Sequence, residues 1–390
     1  MYLYNSLVRK KELFIPQKKN TVTLYVCGIT PYDTTHLGHA FTYLSFDTLV
    51  RYLKYLNYNV IYTQNVTDIN DRNKDILERA REQNIPWKEL AEIATRKFLE
   101  DMQHLNWVMP TNYLKASENI NSFVPLIKKL LANGFAYKVK GSIYFSIDKD
   151  EEYGKLSRFD RKKMLKIAKN FDEDLDNPDK KNPLDITLWR AYWPNQPKHI
   201  PFFESSFGKG RPGWHIECSA MSIISLGEKI DIHGGGIDLL FPHHEAEIAQ
   251  SEGATGKKPF VKYWMHTGSI FYQGEKMSKS KGNLVLISDL LQKYTQNALR
   301  WILLSHYYRE SWEFTEKDLK KAEQIFTKLA ELTLQNKPLA DNQALWQIFA
   351  KTMGNDLDTP KTLLFIKNAA EGGKIAFAKS ALQKLGFVLE

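Results

Sequence analysis

The feature that most constrains this chain is a short strand that runs into the start of a helix. The run Thr23-Leu24-Tyr25-Val26-Cys27-Gly28-Ile29-Thr30 is followed at once by His36-Leu37-Gly38-His39. A β-branched run that ends in a glycine turn and then presents two histidines at a helix start predicts a phosphate-facing junction, because helix N-termini attract anions. The chain is therefore expected to place a strand-to-helix turn beside an anionic ligand.

Two buried strands with a helix between them predict a βαβ unit. The strands are expected at residues 22–27 and 58–63, and the helix from about His39 to Leu56. Apolar residues recur along that helix near helical spacing, so it should cover one face of a parallel sheet. Further helices are predicted at about 74–83, 87–105 and 117–135.

The later part of the chain predicts an insertion, a return to the sheet and a helical end. Alternation over 142–147 indicates a strand, whereas 150–185 is strongly charged with little periodicity. The sheet resumes at 230–233, where three glycines allow close backbone approach to a ligand, and again at 261–266. The predicted divisions are 1–135 and 207–266 for the two halves of the sheet domain, 136–206 for the insertion, 267–315 for a linker and 316–390 for C-terminal helices.

Composition limits the classes of function. The chain has 390 residues, of which 43% are hydrophobic, and a formal net charge of +9 that favours anionic partners such as ATP or RNA. It lacks a signal-peptide segment and any run of about 18 apolar residues, so we expect a cytoplasmic protein without a membrane partner. Two cysteines are too few for a disulfide framework, which leaves reduced thiols or metal ligation.

A second phosphate-binding motif lies far downstream, at Lys276-Met277-Ser278-Lys279-Ser280. Its two lysines lie three residues apart on a loop between Gly274 and Gly282, and they suit a polyphosphate whose charge grows during nucleotidyl transfer. A solvated loop and two ordinary histidines are the plain alternatives. The strand–turn–helix setting and the rarity of KMSKS favour the functional interpretation, an enzyme that attacks the α-phosphate of ATP.

A candidate metal site lies near the start of a later helix. His243 and Glu247 are four residues apart and share a helix face, although His244 with Glu247 is also compatible with the spacing. A solvated helix start with acidic residues explains the same pattern. Cys27 and Cys218 would complete a set suited to zinc, but they lack a C-x-x-C signature and could equally be small buried hydrophobic residues.

Taken together, the motifs resemble one family along nearly the whole chain. They are, in order, LYVCGITPYDTTHLGHA, NVTDIND, KNPLDITLWR, GRPGWHIECSAM, GGGIDLLFPHHEAEIAQ, KYWMHTG and KMSKSKGN. The chain resembles the cysteinyl-tRNA synthetases and their near relatives, the mycothiol-pathway ligases that join cysteine to an amino sugar. The resemblance implies an α/β fold: a Rossmann-like class I synthetase catalytic domain with a parallel sheet, an inserted connective subdomain and a C-terminal helical domain.

The resemblance also implies roles for individual residues. The zinc ligands would be Cys27, Cys218, His243 and Glu247, which settles the register that spacing leaves open. The catalytic and ATP-binding residues of the two signature motifs would be His36, His39, Lys276 and Lys279. Positions near the adenosine of ATP would be Gly235, Gly236 and Asp238. The cysteine pocket would be lined by Gly28, Thr30, Thr67 and Trp214.

The implied activity is the formation of cysteinyl-adenylate from L-cysteine and ATP with Mg²⁺, followed by transfer of cysteine to tRNA-Cys. One zinc ion with an open position would take the substrate thiolate, which the hydroxyl of serine imitates poorly. No nucleophilic protein side chain is needed. A monomer is expected.

Two alternatives remain at this stage. Family members usually continue past the helices with an anticodon-recognition domain, whereas this chain ends at Glu390, so the C-terminal domain is expected to be shortened. That ending, with local features around the first motif, also suits transfer of cysteine to the amine of glucosaminyl-inositol. A catalytically idle paralogue that binds RNA is disfavoured by the intact HLGH and KMSKS motifs.

Overall fold

The computed structural model describes residues 1–32, 35–70, 72, 76–171, 173–277, 281–334 and 343–389. In chain order the strands are β1 (Tyr2–Asn5), β2 (Lys10–Leu13), β3 (Thr21–Ile29), β4 (Asn59–Val66), β5 (Asn112–Lys115), β6 (Ala136–Val139), β7 (Ser142–Phe145), β8 (Ile186–Ala191), β9 (Gly210–Pro212), β10 (Ile230–Gly236), β11 (Val261–Thr267), β12 (Ile270–Tyr272), β13 (Glu275–Lys276) and β14 (Trp312–Glu313).

The helices are distributed along the whole chain. In order they are α1 (Leu37–Tyr55), α2 (Ile76–Glu82), α3 (Trp87–His104), α4 (Ile120–Ala132), α5 (Arg161–Asn170), α6 (Trp214–Leu226), α7 (His243–Thr255), α8 (Ile287–Leu291), α9 (Gln296–Leu304), α10 (Glu316–Thr333), α11 (Gln343–Met353), α12 (Thr359–Glu371) and α13 (Ile375–Lys384). None of the helices in the described part of the chain is long and apolar enough to cross a membrane.

A five-stranded parallel sheet forms the centre of the protein, in the order β11-β10-β3-β4-β5. The predicted βαβ unit is confirmed as β3, α1 and β4, because the apolar residues of α1 pack on the sheet and form part of the largest core. Strand β10 ends in the three glycines at Gly236, as predicted. Because the strands are parallel, their carboxyl ends meet at one edge, where ligands of such sheets bind.

The beginning of the chain and the edge strand β5 were not among the predicted elements. Residues Tyr2–Asn5 and Lys10–Leu13 form an antiparallel hairpin. The Asn5 side chain joins this hairpin to the sheet by donating to the Lys262 carbonyl at 2.9 Å. Long-range contacts, which local patterns do not encode, therefore fix this segment.

The region between α4 and α6 forms a smaller antiparallel sheet in the order β6-β7-β8-β9. Helix α5 lies within the charged stretch for which the sequence predicts little regular structure. Asp160 caps it by accepting from the Lys163 backbone N–H at 2.7 Å, and Met164 and Ala168 are buried. The observed sheet agrees with an inserted unit, while the proposed domain boundaries stay a prediction.

The C-terminal helices pack against α1 through a buried ion pair. The Arg300 side chain is 1% exposed and donates to the Asp47 carboxylate, to the Leu105 carbonyl at 2.8 Å and to the Leu385 carbonyl at 2.6 Å. Arg51 also donates to Asp47, at 3.0 Å. Such full pairing is what a buried charge requires, because removing one partner leaves the other uncompensated.

Candidate active site

A cleft of about 380 Å³ opens at the carboxyl edge of the parallel sheet. Residues from both predicted phosphate-binding motifs and from the predicted metal cluster line its wall. Those among the predicted site residues are Cys27, Gly28, Thr30, His36, His39, Thr67, Trp214, Cys218, Gly236, Asp238, His243 and Lys276. The fold therefore brings together side chains separated by up to about 250 positions in the sequence.

The inner end of the cleft holds the four predicted metal ligands. One ligand atom from each of Cys27, Cys218, His243 and Glu247 lies within 4.8 Å of all the others, and all four residues are buried. The Cys27 Sγ lies 3.3 Å from the Glu247 carboxylate, and the His243 Nε2 lies 3.2 Å from the same oxygen. The i, i+4 spacing on α7 thus positions both helical ligands on one side, as expected.

The chemistry of these four donors fits a zinc ion. Burial raises the pKa of the Cys27 thiol well above its ordinary value, and the neighbouring Cys218 and Glu247 raise it further. A set of two soft thiols, an imidazole and a carboxylate packed this closely is stabilised by a divalent cation. The resident group is thus expected to be Zn²⁺, the ion that prefers these ligands.

A second, overlapping cluster consists of Cys27, His233, His244 and Glu247. It shares two residues with the first cluster but differs in its access to the cleft. Cys218 and His243 line the cleft wall, whereas His233 and His244 are fully buried and do not. The cluster with two cysteines is therefore the one that a substrate in the cleft can reach.

Two further histidines orient the proposed ligands, and the sequence did not single them out. His233 Nε2 lies 2.8 Å from the second carboxylate oxygen of Glu247, and His215 Nδ1 lies 2.8 Å from His243 Nδ1. His215 in turn contacts Glu173 of the insertion at 3.0 Å. Their positions inside the GWHIEC and DIHGGG segments were the available signal, because partners of ligand side chains fix tautomer and orientation.

Three imidazoles at this end of the cleft, those of His243, His244 and His266, have a lowered pKa that favours the neutral form. Burial, together with the neighbouring histidines, lowers the pKa of His243 and of His244 well below the usual range. Burial also lowers the pKa of His266, which bonds to His244 at 2.8 Å, to about 3. A neutral imidazole offers a lone pair, so His243 is already in the form that binds metal.

The predicted cysteine pocket depends on a close approach of β3 to β4. The Gly28 N–H donates to the Asn65 side-chain oxygen at 2.8 Å, and a Cβ on Gly28 would lie 1.6 Å from the Asn65 carbonyl oxygen. Only glycine fits there. Asn65 also donates to the Thr67 hydroxyl at 3.1 Å, so one amide fixes two predicted pocket residues. The motif NVTDIND contained Asn65, yet its partner lies 37 positions away.

Trp214 forms a wall of the same pocket at the first position of α6. Its ring stacks on His243, with centroids 4.5 Å apart and planes at 24°. The Arg72 guanidinium lies 4.6 Å from the Trp214 ring centroid and donates to the Phe171 carbonyl of the insertion. The insertion therefore contributes directly to the wall of the cleft.

The signature histidines occupy the first turn of α1. His36 caps the helix by accepting from the His39 backbone N–H at 3.3 Å, and the two rings stack with centroids 3.7 Å apart. Burial lowers the pKa of His39 to about 4, so this imidazole is neutral near pH 7. His39 Nδ1 has no hydrogen-bond partner among the described residues, which leaves it available to a ligand at the helix N-terminus.

The opposite wall carries the residues predicted to meet ATP. The Lys276 ammonium lies 3.7 Å from Asp238, and both side chains are about half exposed. Gly236 lines the cleft, whereas Gly235 does not, although a Cβ on Gly235 would meet Leu239 of the cleft wall at 2.9 Å. The contact of Gly235 with ATP stays a prediction. Lys279 lies outside the described residues.

Known proteins provide an independent comparison. A family model described as the catalytic domain of class I (C) tRNA synthetases matches residues 13–324. The chain is 40% identical over 425 residues to the cysteine–tRNA ligase of Thermodesulfovibrio yellowstonii, with 100% of this chain and 85% of that protein covered. It is 45% identical over 342 residues to the cysteine–tRNA ligase of Thermococcus onnurineus, with 88% and 69% covered.

A solved structure supports the fold. Methionyl-tRNA synthetase of Mycobacterium tuberculosis, in complex with methionyl-adenylate, is similar at a TM-score of 0.65 and 14% identity, covering 94% of this chain and 87% of that one. At this identity the likeness concerns the fold, which is the Rossmann-like architecture that the motifs imply. The chain belongs to the class I tRNA synthetases, in the family whose members include the cysteine–tRNA ligases.

Proposed function

We propose that this protein is a cysteine–tRNA ligase that activates L-cysteine with ATP and then transfers it to tRNA-Cys. The observation that carries the proposal is one cleft with a buried cluster of two cysteines, a histidine and a glutamate at its inner end and both phosphate-binding motifs at its mouth. The names of the curated relatives agree with this activity.

Zinc would be held by Cys27, Cys218, His243 and Glu247. When bound, it supplies a soft Lewis acid that favours the thiolate of cysteine over the hydroxyl of serine. A site matched to one substrate group rejects an analogue that lacks this group. Selection of cysteine over serine at this step would therefore require no second site that hydrolyses a wrongly activated amino acid. Trp214 and Thr67 would enclose the rest of the amino acid.

In the first half-reaction, a carboxylate oxygen of cysteine attacks the α-phosphorus of ATP, and the bond from that phosphorus to the bridging oxygen of pyrophosphate breaks. His36 and His39 would donate hydrogen bonds from their ring nitrogens at the start of α1, and the lowered pKa of His39 favours its neutral imidazole. Lys276 and Lys279 would stabilise the charge that accumulates on the leaving pyrophosphate, which is bound with Mg²⁺. The products are cysteinyl-adenylate and pyrophosphate.

In the second half-reaction, a ribose hydroxyl at the 3′ end of tRNA attacks the carbonyl carbon of the adenylate and AMP leaves. Asp238 and Gly236, in the wall beside Lys276, would hold the adenosine during both steps. We further propose that the protein acts as a monomer in the cytoplasm, which size-exclusion chromatography with light scattering and localisation of the tagged chain would test.

The competing acceptor is not favoured. Transfer to glucosaminyl-inositol uses the same activated cysteine, so the cleft alone does not separate the two reactions. The curated relatives compared above carry the name of the tRNA reaction at 40–45% identity. An idle RNA-binding paralogue would not need a metal cluster beside a phosphate-binding junction.

Two assays test the proposal in sequence. Cysteine-dependent exchange of labelled pyrophosphate into ATP measures the first step, with serine as the matched control amino acid. Labelled cysteine is then offered with ATP and either tRNA-Cys or glucosaminyl-inositol. We expect exchange with cysteine alone and label on the tRNA. Absence of exchange in zinc-loaded protein would contradict cysteine activation, and label on the sugar alone would contradict the proposed acceptor.

A further inference from the structure

Arg72 is a half-buried cation in the wall of the cleft, beside the predicted cysteine pocket. It follows β4 in the segment NVTDINDR, and its backbone N–H donates to the Asn70 side-chain oxygen at 2.8 Å. Asparagine side chains form such turns with the backbone N–H two residues later. Asn70 is 1% exposed, so a buried side chain fixes the backbone from which Arg72 enters the cleft.

The guanidinium of Arg72 lies at the inner end of the cleft. Its central carbon is 4.6 Å from the ring centroid of Trp214. The His243 ring stacks on the same indole, with centroids 4.5 Å apart. Arg72 and a proposed zinc ligand therefore contact one indole ring, which makes Arg72 a neighbour of the place where the thiol of the substrate is expected.

Within the described residues, no carboxylate forms an ion pair with this guanidinium. Asp238 is the one acidic residue among the described residues that line the cleft, and it lies 3.7 Å from Lys276 on the opposite wall. Glu173 of the insertion bonds to His215 at 3.0 Å. A partly buried cation without an acidic partner favours an anionic ligand, because pairing offsets the cost of its desolvation.

The guanidinium also retains donors for such a ligand. Arginine carries five N–H donors in a planar fork. Within the described part of the chain, the side chain of Arg72 donates to the Phe171 carbonyl alone. This bond anchors the group on the insertion and leaves further N–H donors, whose fork matches the geometry of a carboxylate.

We infer that Arg72 binds the α-carboxylate of the cysteine substrate. The inference rests on the proposed function, because it assumes that the thiol of cysteine binds at the metal cluster. The carboxylate carbon of cysteine is three bonds from its sulfur, so a cysteine held there presents its carboxylate a few ångströms away, along the wall that contains Trp214 and Arg72. A carboxylate has about four acceptor sites, so one that pairs with Arg72 retains lone pairs for the attack on ATP.

The test compares cysteine with cysteamine, which has the same thiol and amine but no carboxylate. In the variant R72Q, we expect the KM for cysteine in pyrophosphate exchange to rise about thirtyfold, the effect of losing a charge-assisted hydrogen bond. The inhibition constant of cysteamine should stay within about twofold of wild type, because cysteamine lacks the group that Arg72 binds. Zinc content and the KM for ATP should not change. Isothermal titration of the zinc-loaded protein with each thiol repeats the comparison without turnover.

Two further variants make the test specific. R72K keeps the charge but loses the planar fork, so its KM for cysteine should lie between those of wild type and R72Q. R79Q removes an arginine of the following helix, α2, which pairs with Glu82 at 2.8 Å and does not line the cleft. This control should leave the constants for cysteine, cysteamine and ATP unchanged.

The outcomes separate this inference from the proposed function. If R72Q weakens cysteine and cysteamine equally, Arg72 supports the Trp214 wall rather than the carboxylate, and the inference fails. Unchanged binding of cysteine, a rise confined to the KM for ATP, or a lysine variant no better than R72Q would overturn it as well. If the wild-type protein catalyses no cysteine-dependent exchange, the proposed function fails instead, before any variant is compared.

Discussion

The two ends of the cleft are built differently. At the inner end, Cys27, Cys218, His243 and Glu247 are buried and each is fixed by neighbouring side chains, His215 and His233 above all. At the mouth, Lys276 and Asp238 are about half exposed and meet at 3.7 Å, a separation typical of a weak surface pair.

This difference matches the two tasks of the proposed reaction. Discrimination between a thiol and a hydroxyl needs donors that are fixed before the substrate arrives, because reorganisation would cost selectivity. The additional charge on a leaving pyrophosphate develops only during the reaction, so exposed cations that gather around ATP suffice. Substitutions at the inner end should therefore affect cysteine binding, and those at the mouth should affect the rate of the chemical step.

The largest effect is expected from Cys218→Ser at the inner end. Replacing a soft thiolate by a hard hydroxyl should reduce zinc from one ion per chain towards none and lower pyrophosphate exchange by on the order of a thousandfold. Elemental analysis and exchange assays measure both. Ser225→Ala, later on the same helix, is the control and should change neither. Full zinc content with normal exchange would remove Cys218 from the site.

Lys276→Ala tests the mouth of the cleft. We expect the kcat of exchange to fall by on the order of a hundredfold with zinc content and the KM for cysteine nearly unchanged, because the lost charge acts on the departing pyrophosphate. Lys281→Ala is matched, since Lys281 is on the same segment and pairs with Glu275 at 2.9 Å outside the cleft. An equal loss of cysteine affinity would contradict the proposal that the mouth of the cleft affects the chemical step and the inner end affects cysteine binding.

The variant His233→Ala tests whether a residue outside the proposed substrate site positions the proposed zinc ligands at the inner end of the cleft. Loss of its 2.8 Å contact should free Glu247 to rotate and lower zinc affinity about tenfold or somewhat more. Competition with a chromophoric chelator measures this. The exposed His104 on α3 provides the control, His104→Ala. Unchanged zinc affinity in His233→Ala would mean that the ligands are fixed by packing alone.

The smallest effect concerns the pH dependence contributed by His39. Its pKa is lowered from 6.5 to about 4 in the folded protein, so between these values the unfolded chain binds more protons and stability falls as the pH is lowered. The variant His39→Asn lacks this pH-dependent contribution to the free energy of unfolding. Its Tm should drop by a few degrees less than that of wild type between pH 7 and pH 5. An identical drop in both proteins would indicate that His39 is charged when folded.

Local patterns were sufficient for much of this organisation. The β-branched runs of β3 and β4 and the apolar periodicity of α1 predict the βαβ unit, because each is buried on the face that the pattern indicates. The signature histidines, the motif lysines and the candidate metal ligands were first singled out from local patterns, and the family resemblance supplied their roles and the register between His243 and His244 that spacing left open. The roles of all these residues still await the experiments above.

Other features depend on contacts that no local pattern encodes. Asn65 acts on Gly28 across 37 positions, and His233 acts on Glu247 from a different element. The β1–β2 hairpin places Leu3 in the main core and is joined to β11 by the Asn5 side chain. Helix α5 was not predicted because its five lysines and arginines outnumber its four apolar residues and obscure the short buried stripe of Met164 and Ala168.

The buried Arg300 makes the two ends of the chain depend on one another. Its guanidinium joins Asp47 of α1, the carbonyl after α3 and the carbonyl after α13, so the nucleotide-binding sheet and the last helices should melt in a single cooperative transition. A fragment cut before Leu385 would remove one of the acceptors of this buried cation, at a cost of about 1–3 kcal/mol. Anyone trimming this enzyme to a minimal amino-acid-activating unit should therefore retain its final turn.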